Sequence, residues 1–175
     1  MAVKLRIVEE LIEDDPNEAV KVVEELRENL KDAIAELRAL AHGIFPPLLS
    51  SGGLREALPA AAGRAALPTT VDTSGVGRYT PEIESTVYFC CLEALQNAAK
   101  HAGDSAEAEV RVCDDGQMLT FEVSDDGAGF DADPQGASGH GFINMTDRLG
   151  TVGGRLAVRS APGTGTTVRG EIPLT

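Results

Sequence analysis

Several features that would mark a special class of protein are missing from this sequence. Tryptophan is absent and aromatic residues make up only 4%, so a core must be built mainly from Val, Leu, Ile and Ala. The three cysteines form no CxxC pair, which favours reduced thiols over a disulfide framework. No apolar run approaches the ~18 residues of a membrane span. No signal peptide opens the chain, and we therefore expect a cytoplasmic segment that makes no membrane contact of its own.

Positive charge is also scarce. Lys and Arg total 15 against 28 Asp and Glu, which gives a formal net charge of −13. Such a surface repels phosphate backbones, so nucleic acid is excluded as an expected partner. A small anionic ligand is not excluded, because backbone amides and one or two cations can hold it locally. Hydrophobic residues make up 42%, which is enough for a folded core.

The first 44 residues predict two helices joined by a turn. Residues 3–13 and about 17–44 have helical patterns, with Pro16 in the turn between them. Apolar residues of the second helix are spaced alternately three and four apart, as in a coiled coil: Val23, Leu26, Leu30, Ala33, Leu37, Leu40 and Ile44. One antiparallel hairpin buries such a seam poorly, so we expect a homodimeric four-helix bundle. The alternative is that the seam packs on the domain that follows.

Pro46 and Pro47 end this pattern, and the composition then changes. We therefore predict a partial helical hairpin over residues 1–48 and a second domain over 49–175. The patterns in the second domain predict helices at 54–64, 81–101 and 141–151, and strands at 67–73, 106–114, 117–125, 154–160 and 165–173. Helices and mostly antiparallel strands in this order predict an α+β fold, a two-layer α/β sandwich.

The helix that starts at residue 81 carries an unusual polar stripe. Glu93, Asn97, Lys100 and His101 recur at helical spacing on one face. An ordinary solvated face is the alternative interpretation. The stripe, however, mixes an acid, an amide and bases, and small and apolar residues surround it. These features favour a functional role.

A second cluster follows the strand that ends at Asp125. Gly127 and Gly129 come next at alternate positions, in the sequence SDDGAGF. A carboxylate at a strand end can accept a hydrogen bond from an exocyclic amine, and glycines there would let a ligand ring approach the backbone. A simple acidic turn is the alternative, because this short pattern alone is weak evidence.

Two glycine-rich turns complete the set. Gly139, His140 and Gly141 open a helix, where exposed amides and the helix dipole favour phosphate. The sequence is neither a Walker loop nor a dinucleotide fingerprint, since Asn144 stands where the latter needs its third glycine. The turn GTGTT joins two predicted strands. It contains Thr166, which is a candidate to face a ligand.

The order of these segments is more specific than any one of them. An ExxxN helix, then DxGxG, GxG and GxGT follow one another between Glu93 and Thr166. The chain thereby resembles the ATPase superfamily of gyrase, heat-shock chaperones, histidine kinases and mismatch-repair proteins, with its N, G1, G2 and G3 boxes. ALQNAAKHA, SDDGAGF and GHGFINMTDRLGTVGG are similar to sensor histidine kinases. ELRALAHGIFPPLLSSGGLREAL resembles the nitrate-sensor-like subfamily, in which it ends the dimerisation hairpin.

The resemblance implies a Bergerat ATP-binding fold and assigns roles to the site residues. Asp125 would bond the adenine amino group, helped through water by Thr166, and Asn97 would ligate Mg²⁺ at the phosphates. Glu93 would polarise water or the phosphate acceptor. Positive charge and amide donors for the phosphates would come from Lys100, His101 and Gly139–His140–Gly141, with residues 130–140 as a lid.

The resemblance also implies an acceptor histidine followed by an acid, and none of the three histidines fits: His42 and His140 precede Gly, and His101 precedes Ala. We therefore expect the acceptor upstream of Met1, so that this chain binds ATP without phosphorylating itself. The expected function is phosphate transfer to a histidine for relay to a response regulator, as the cytoplasmic part of a larger sensor. The alternatives are an ATP hydrolase of the same fold and a dimeric nucleotide-sensing module without turnover.

Overall fold

The computed structural model describes residues 20, 22–23, 46–131 and 140–174. The chain divides into two compact units, Met1–Phe45 and Pro46–Thr175. In the first, Val20, Val22 and Val23 are helical, and Val20 and Val23 are exposed. The rest of the predicted hairpin, its seam and the four-helix bundle lie outside the described residues. The boundary that we predict after residue 48 stays a prediction.

The second unit contains three helices and five strands in the described residues. The helices are α1 (Pro47–Ala62), α2 (Pro81–His101) and α3 (His140–Thr151). The strands are β1 (Thr69–Asp72), β2 (Ala108–Asp114), β3 (Met118–Asp125), β4 (Arg155–Ser160) and β5 (Thr166–Pro173). They form one sheet in the order β1-β2-β3-β5-β4. Only the β1–β2 pair is parallel.

The helices pack on one face of the sheet, which confirms the predicted two-layer α+β sandwich. Strand side chains alternate between buried and accessible, and the buried set faces the helices: Val110, Val112, Leu119, Phe121, Val123, Val168 and Ile172. The ring of Phe121 lies where a Cβ of Gly170 would stand, so the cross-strand glycine makes room for the core aromatic. On the opposite face Glu171 pairs with Arg155 at 2.8 Å.

Helix α2 has the terminal signals read from the sequence. The Thr80 hydroxyl accepts a bond from the Ile83 amide at 3.5 Å, and Pro81 occupies the first turn. The buried face holds Val87, Cys90, Cys91, Ala94 and Ala98, among others, and α2 contacts α1, α3 and three strands. Helix α2 is therefore in contact with both other helices and with the three central strands of the sheet.

Helix α1 differs from the sequence prediction. Residues 47–53 were expected to be a connection before a helix at 54–64, but the helix begins at Pro47 and turns at Gly53. Gly53 has φ 64° and ψ −161°, a conformation that residues with a Cβ rarely adopt. The residues before Gly53, which the prediction leaves outside the helix, form a short helical piece of their own.

In the described part of the chain, every helix falls short of the length or the apolarity needed to cross a membrane.

Candidate functional site

Glu93 and Asn97 lie one helical turn apart on α2, and both are half-buried. The backbone at Gly141, in the first turn of α3, comes directly against them. A Cβ at Gly141 would stand 3.4 Å from Asn97 Nδ2 and would overlap Glu93 Oε1. Glycine at this position therefore lets the start of α3 reach the polar stripe. Glu93 has polar interactions in this setting, so its carboxylate is held rather than loose.

Lys100 and His101 stand exposed in the last turn of α2. The C-terminal end of a helix carries partial negative charge, which cations there offset. The two side chains continue the stripe beyond Asn97, as predicted, and they remain open to solvent.

Asp125 is the last residue of β3 and pairs in register with Thr166 of β5 on one side and Ala108 of β2 on the other. Its Oδ1 accepts a hydrogen bond from the Gly127 amide at 3.0 Å. Among the described residues no donor bonds its Oδ2. The backbone of Gly127 thus fixes the carboxylate and leaves one oxygen for a further donor.

Thr166 lies beside Ser160, a residue that sequence reasoning missed. The two hydroxyl oxygens are 3.0 Å apart, and Ser160 Oγ lies 3.0 Å from the Gly165 carbonyl, to which it donates. The same Oγ accepts the Phe130 amide at 2.9 Å. Ser160 therefore ties the loop after Asp125 to the turn before Thr166. A serine at the end of β4, just before the GTGTT turn, was the only available signal.

The glycines after Asp125 make close contacts within the protein, and their predicted part in letting a ligand ring approach stays a prediction. The space that a Cβ of Gly127 would fill is occupied by Ala102, just after α2, and the Ala128 amide donates to the Ala102 carbonyl at 2.9 Å. A Cβ at Gly129, whose φ is 60°, would meet the Ala161 carbonyl oxygen. The loop after Asp125 therefore packs closely against Ala102 on one side and against the β4–β5 turn on the other.

Gly165 closes this arrangement, because a Cβ there would overlap the carbonyl oxygen of Asp125. Gly163 has nearly the same backbone, φ 77° against 75°, but open space around it. We expect Gly165→Ala to destabilise the domain by about 3–4 kcal/mol, from backbone strain plus overlap with backbone that cannot move aside. Gly163→Ala introduces only the backbone strain and should lower the free energy of unfolding by about 1 kcal/mol. Urea unfolding of both variants measures this, and equal losses would contradict the packing argument.

Phe130 and Phe142 bring the loop after Asp125 into contact with the first turn of α3. Their ring centroids are 6.2 Å apart, which brings the residue after the DxGxG segment onto the residue after Gly141. Contacts therefore run in a closed ring, from Asp125 through Thr166, Ser160, Phe130, Phe142 and Gly141 to Glu93, and back along α2 through Ala102 and Gly127. We call this set the site ring.

The contact between α2 and α3 is largely apolar. Cys90 Sγ lies 3.9 Å from the Met145 carbonyl, and Arg148 stacks its guanidinium over the Phe89 ring at 5.3 Å. Burial raises the pKa of the Cys90 thiol to about 12, with nearby Glu93 adding to the rise and Arg148 opposing it. Burial likewise raises the pKa of Cys91. Both thiols are therefore neutral and contribute to packing. Arg148, through its contact with Phe89, stabilises α3, the helix that begins at the site ring.

The other predicted phosphate-side residues are partly outside the described residues. His140 begins α3 in backbone terms, and Gly141 follows it at the site ring. Gly139, the side chain of His140 and most of the predicted lid (132–139) are outside them, so their part in the site stays a prediction.

Two family models match the chain. The model described as "Histidine kinase-, DNA gyrase B-, and HSP90-like ATPase" matches residues 82–175, and one described as "Histidine kinase" matches residues 1–49. The first covers all the residues of the site ring.

Curated relatives are similar over most of the chain. Sensor histidine kinase MctS of Rhizobium johnstonii is 36% identical over 154 residues, which are 83% of this chain and 33% of MctS. The kinase/phosphatase DegS of Brevibacillus brevis is 29% identical over 164 residues, 91% of this chain and 42% of DegS. The chain thus spans about a third to two fifths of these relatives.

Solved structures give the same fold. The histidine kinase domain of the blue-light activated histidine kinase from Erythrobacter litoralis superposes with a TM-score of 0.56 at 29% identity, over 69% of this chain and 58% of that one. The catalytic domain of histidine kinase ThkA gives 0.52 at 14% identity, over 83% and 92%. These likenesses confirm the predicted Bergerat-type sandwich.

Proposed function

Because the chain belongs to the family of histidine kinase-, DNA gyrase B- and HSP90-like ATPases, we propose that it is the ATP-binding catalytic part of a sensor histidine kinase. It would transfer the γ-phosphoryl group of ATP to a histidine outside these residues, for relay to a response regulator. The observation that carries the proposal is the site ring. It joins the Asp125 carboxylate, suited to a purine amine, with the Glu93 carboxylate at the phosphate end, where the Asn97 amide lies against the same Gly141.

The adenine end is formed by Asp125. With Oδ1 bonded to the Gly127 amide, Oδ2 accepts the exocyclic amine of adenine. A charge-assisted bond of this kind is about twice as strong as a neutral one. Thr166, next to Asp125 in register and bonded to Ser160, would bridge to the ring through water.

The phosphate end is formed by α2 and the start of α3. Amides at the N-terminus of α3 would donate to phosphate oxygens, and Lys100 and His101 would offset their charge. The amide oxygen of Asn97 suits Mg²⁺, which takes few protein ligands and completes its shell with phosphate oxygens and water. A bound Mg²⁺ would supply charge neutralisation along the phosphates.

Glu93 would act as the general base for the attacking group. It stands one turn before Asn97 against Gly141, beside the start of α3. Its carboxylate would accept the N–H proton of the incoming imidazole, or orient that ring, as the other ring nitrogen attacks the γ-phosphorus. The bond from that phosphorus to the β,γ-bridging oxygen would break, and ADP would leave. This role can be assigned to Glu93 without a structure of the acceptor, because Glu93 belongs to the proposed nucleotide site.

Homodimerisation through residues 1–48 is part of the proposal, supported by the histidine kinase model that matches residues 1–49 and by the coiled-coil spacing. The partner of the phosphorylated histidine would be a response regulator protein. The names of the relatives, sensor histidine kinase and histidine-protein kinase/phosphatase, support this assignment.

ATP hydrolysis is the second candidate. It is favoured by the description of the family model that matches residues 82–175, which names ATPases. In that case Glu93 would take its proton from water.

One experiment separates the two. A longer chain is prepared in which a helix carrying a His-acid pair precedes Met1, and it is incubated with γ-labelled Mg-ATP. Kinase function predicts protein-bound phosphate that is labile in acid and stable in base, and its loss when that histidine is replaced by Gln. Release of free phosphate at the same rate by both versions, without labelled protein, supports hydrolysis. Absence of ATP binding contradicts both.

A further inference from the structure

Away from the site ring, Glu84 is the only acidic or basic side chain that is buried in residues 46–131 and 140–174, with 2% of it exposed. Arg78 holds it in a forked ion pair, with Nε 2.8 Å from Oε1 and Nη2 3.3 Å from Oε2. The Tyr79 amide donates to Oε1 at 3.1 Å. A buried carboxylate is tolerated when its bonds are satisfied in this way.

The same guanidinium binds the chain where it enters the second unit. Arg78 Nη1 donates to the Ser51 carbonyl and Nη2 to the Ser50 carbonyl, both at 3.1 Å. The kink at Gly53 makes these the last carbonyls of a short helical piece, where partners within the helix are missing and the dipole favours a cation. Arg78 therefore caps the first piece of α1 while it neutralises Glu84.

Gly53 is fitted to this ion pair. A Cβ there would stand 2.7 Å from Arg78 Cδ and 2.9 Å from Glu84 Oε1. The kink and the ion pair thus occupy one tightly shared space, so that the direction of residues 47–51 depends on the pair.

The location of the pair gives it a consequence for catalysis. Only Pro46 separates residues 47–51 from Phe45, the last residue of the first unit. Glu84 shares the rigid α2 with Glu93, about 13 Å further along the axis. One side chain, Arg78, therefore fastens the chain entering the domain to the helix that carries the phosphate end of the site.

We propose that Arg78 and Glu84 are positioning residues: their ion pair fixes residues 47–51 to α2 and thereby sets the rate of phosphoryl transfer to the acceptor histidine, without contributing to ATP affinity. The inference rests on the proposed kinase function. Transfer requires the acceptor to meet the γ-phosphate in a narrow range of geometries, and small displacements reduce rates strongly. ATP binding, as proposed, uses the site ring together with Asn97, Lys100 and His101, and neither Arg78 nor Glu84 is among these residues.

The test uses the longer chain with its acceptor helix and the double variant Arg78→Met/Glu84→Gln. Removing both charges avoids an unpaired buried carboxylate, so the domain should still fold. We expect the single-turnover rate at saturating Mg-ATP to fall at least about tenfold, with the dissociation constant for ATP within about twofold of wild type. Arg78→Lys keeps the charge without the fork and should lie between the two.

The matched control is Arg155→Met/Glu171→Gln, which removes an ion pair of the same length on the exposed sheet face. Both rate and affinity should stay unchanged there. An unchanged rate in the Arg78/Glu84 variant, or an ATP affinity that falls in step with the rate, would overturn the inference. If wild type binds ATP but transfers no phosphate, the proposed kinase function fails instead, so the two failures are distinguishable.

Discussion

Replacing Asp125 with Ala is expected to weaken Mg-ATP binding by about 30- to 150-fold. This corresponds to the ~2–3 kcal/mol for truncating a charged partner of a hydrogen bond in a partly buried site. The variant loses the acceptor for the adenine amine and also the bond that holds the Gly127 amide. Isothermal titration with Mg-ATP measures the change directly.

Asp126 provides the matched control. It is the next residue, is exposed, and accepts the Glu107 amide through Oδ1 at 2.8 Å, on the side of β2. Asp126→Ala should change ATP affinity by less than about twofold. The base itself gives a second check, since GTP presents a carbonyl where ATP presents an amine and should bind poorly to wild type. An Asp125→Ala variant that retains wild-type ATP affinity would remove the adenine-reading role.

Replacing Glu93 with Gln is expected to lower the rate of phosphoryl transfer by about 10²–10⁴-fold, the range for losing a general base. Gln keeps the size of the side chain and its contact with Gly141, so ATP affinity should stay within about threefold of wild type. Single-turnover transfer in the longer chain, together with ATP titration, separates the two effects.

The exposed Glu82, in the first turn of the same helix, is the control for Glu93. Glu82→Gln should leave transfer and binding unchanged. If Glu93→Gln weakened binding and transfer by the same factor, the carboxylate would be a phosphate-side binding group rather than a base. Undiminished transfer would leave Glu93 a structural support for the start of α3.

Most of the sheet was predictable because its strands obey simple local rules. Alternating residues predict β2 and β3 to within about two residues of their observed bounds, and the Asp115–Gly116 pair between them is typical of a hairpin turn. Thr80 and Pro81 located the start of α2. The order of the four boxes then predicted which segments meet, and the structure brings Glu93, Asn97 and Gly141 together as that order implies.

The sequence could not show what fills the space beside each glycine. Where a Cβ of Gly127, Gly129 or Gly165 would stand, the structure has Ala102 or a backbone carbonyl oxygen, and no pattern in the sequence indicates these contacts. Neither Ser160 nor the Arg78–Glu84 pair was found, because each joins residues from separate segments. Such contacts are fixed by tertiary packing, and no short pattern encodes them.

The position of β5 in the sheet bears on how the protein is made. β5 is the last of the five strands in the chain, yet it lies between β3 and β4, and it brings Thr166 beside Asp125. On a ribosome, α2, β2 and β3 emerge well before β5, and they present an unpaired edge of β3 until it arrives. ATP cannot be bound as proposed during that interval. A nascent chain that ends before residue 166 would therefore not bind the nucleotide as proposed. It would depend on chaperones to shield the unpaired edge of β3.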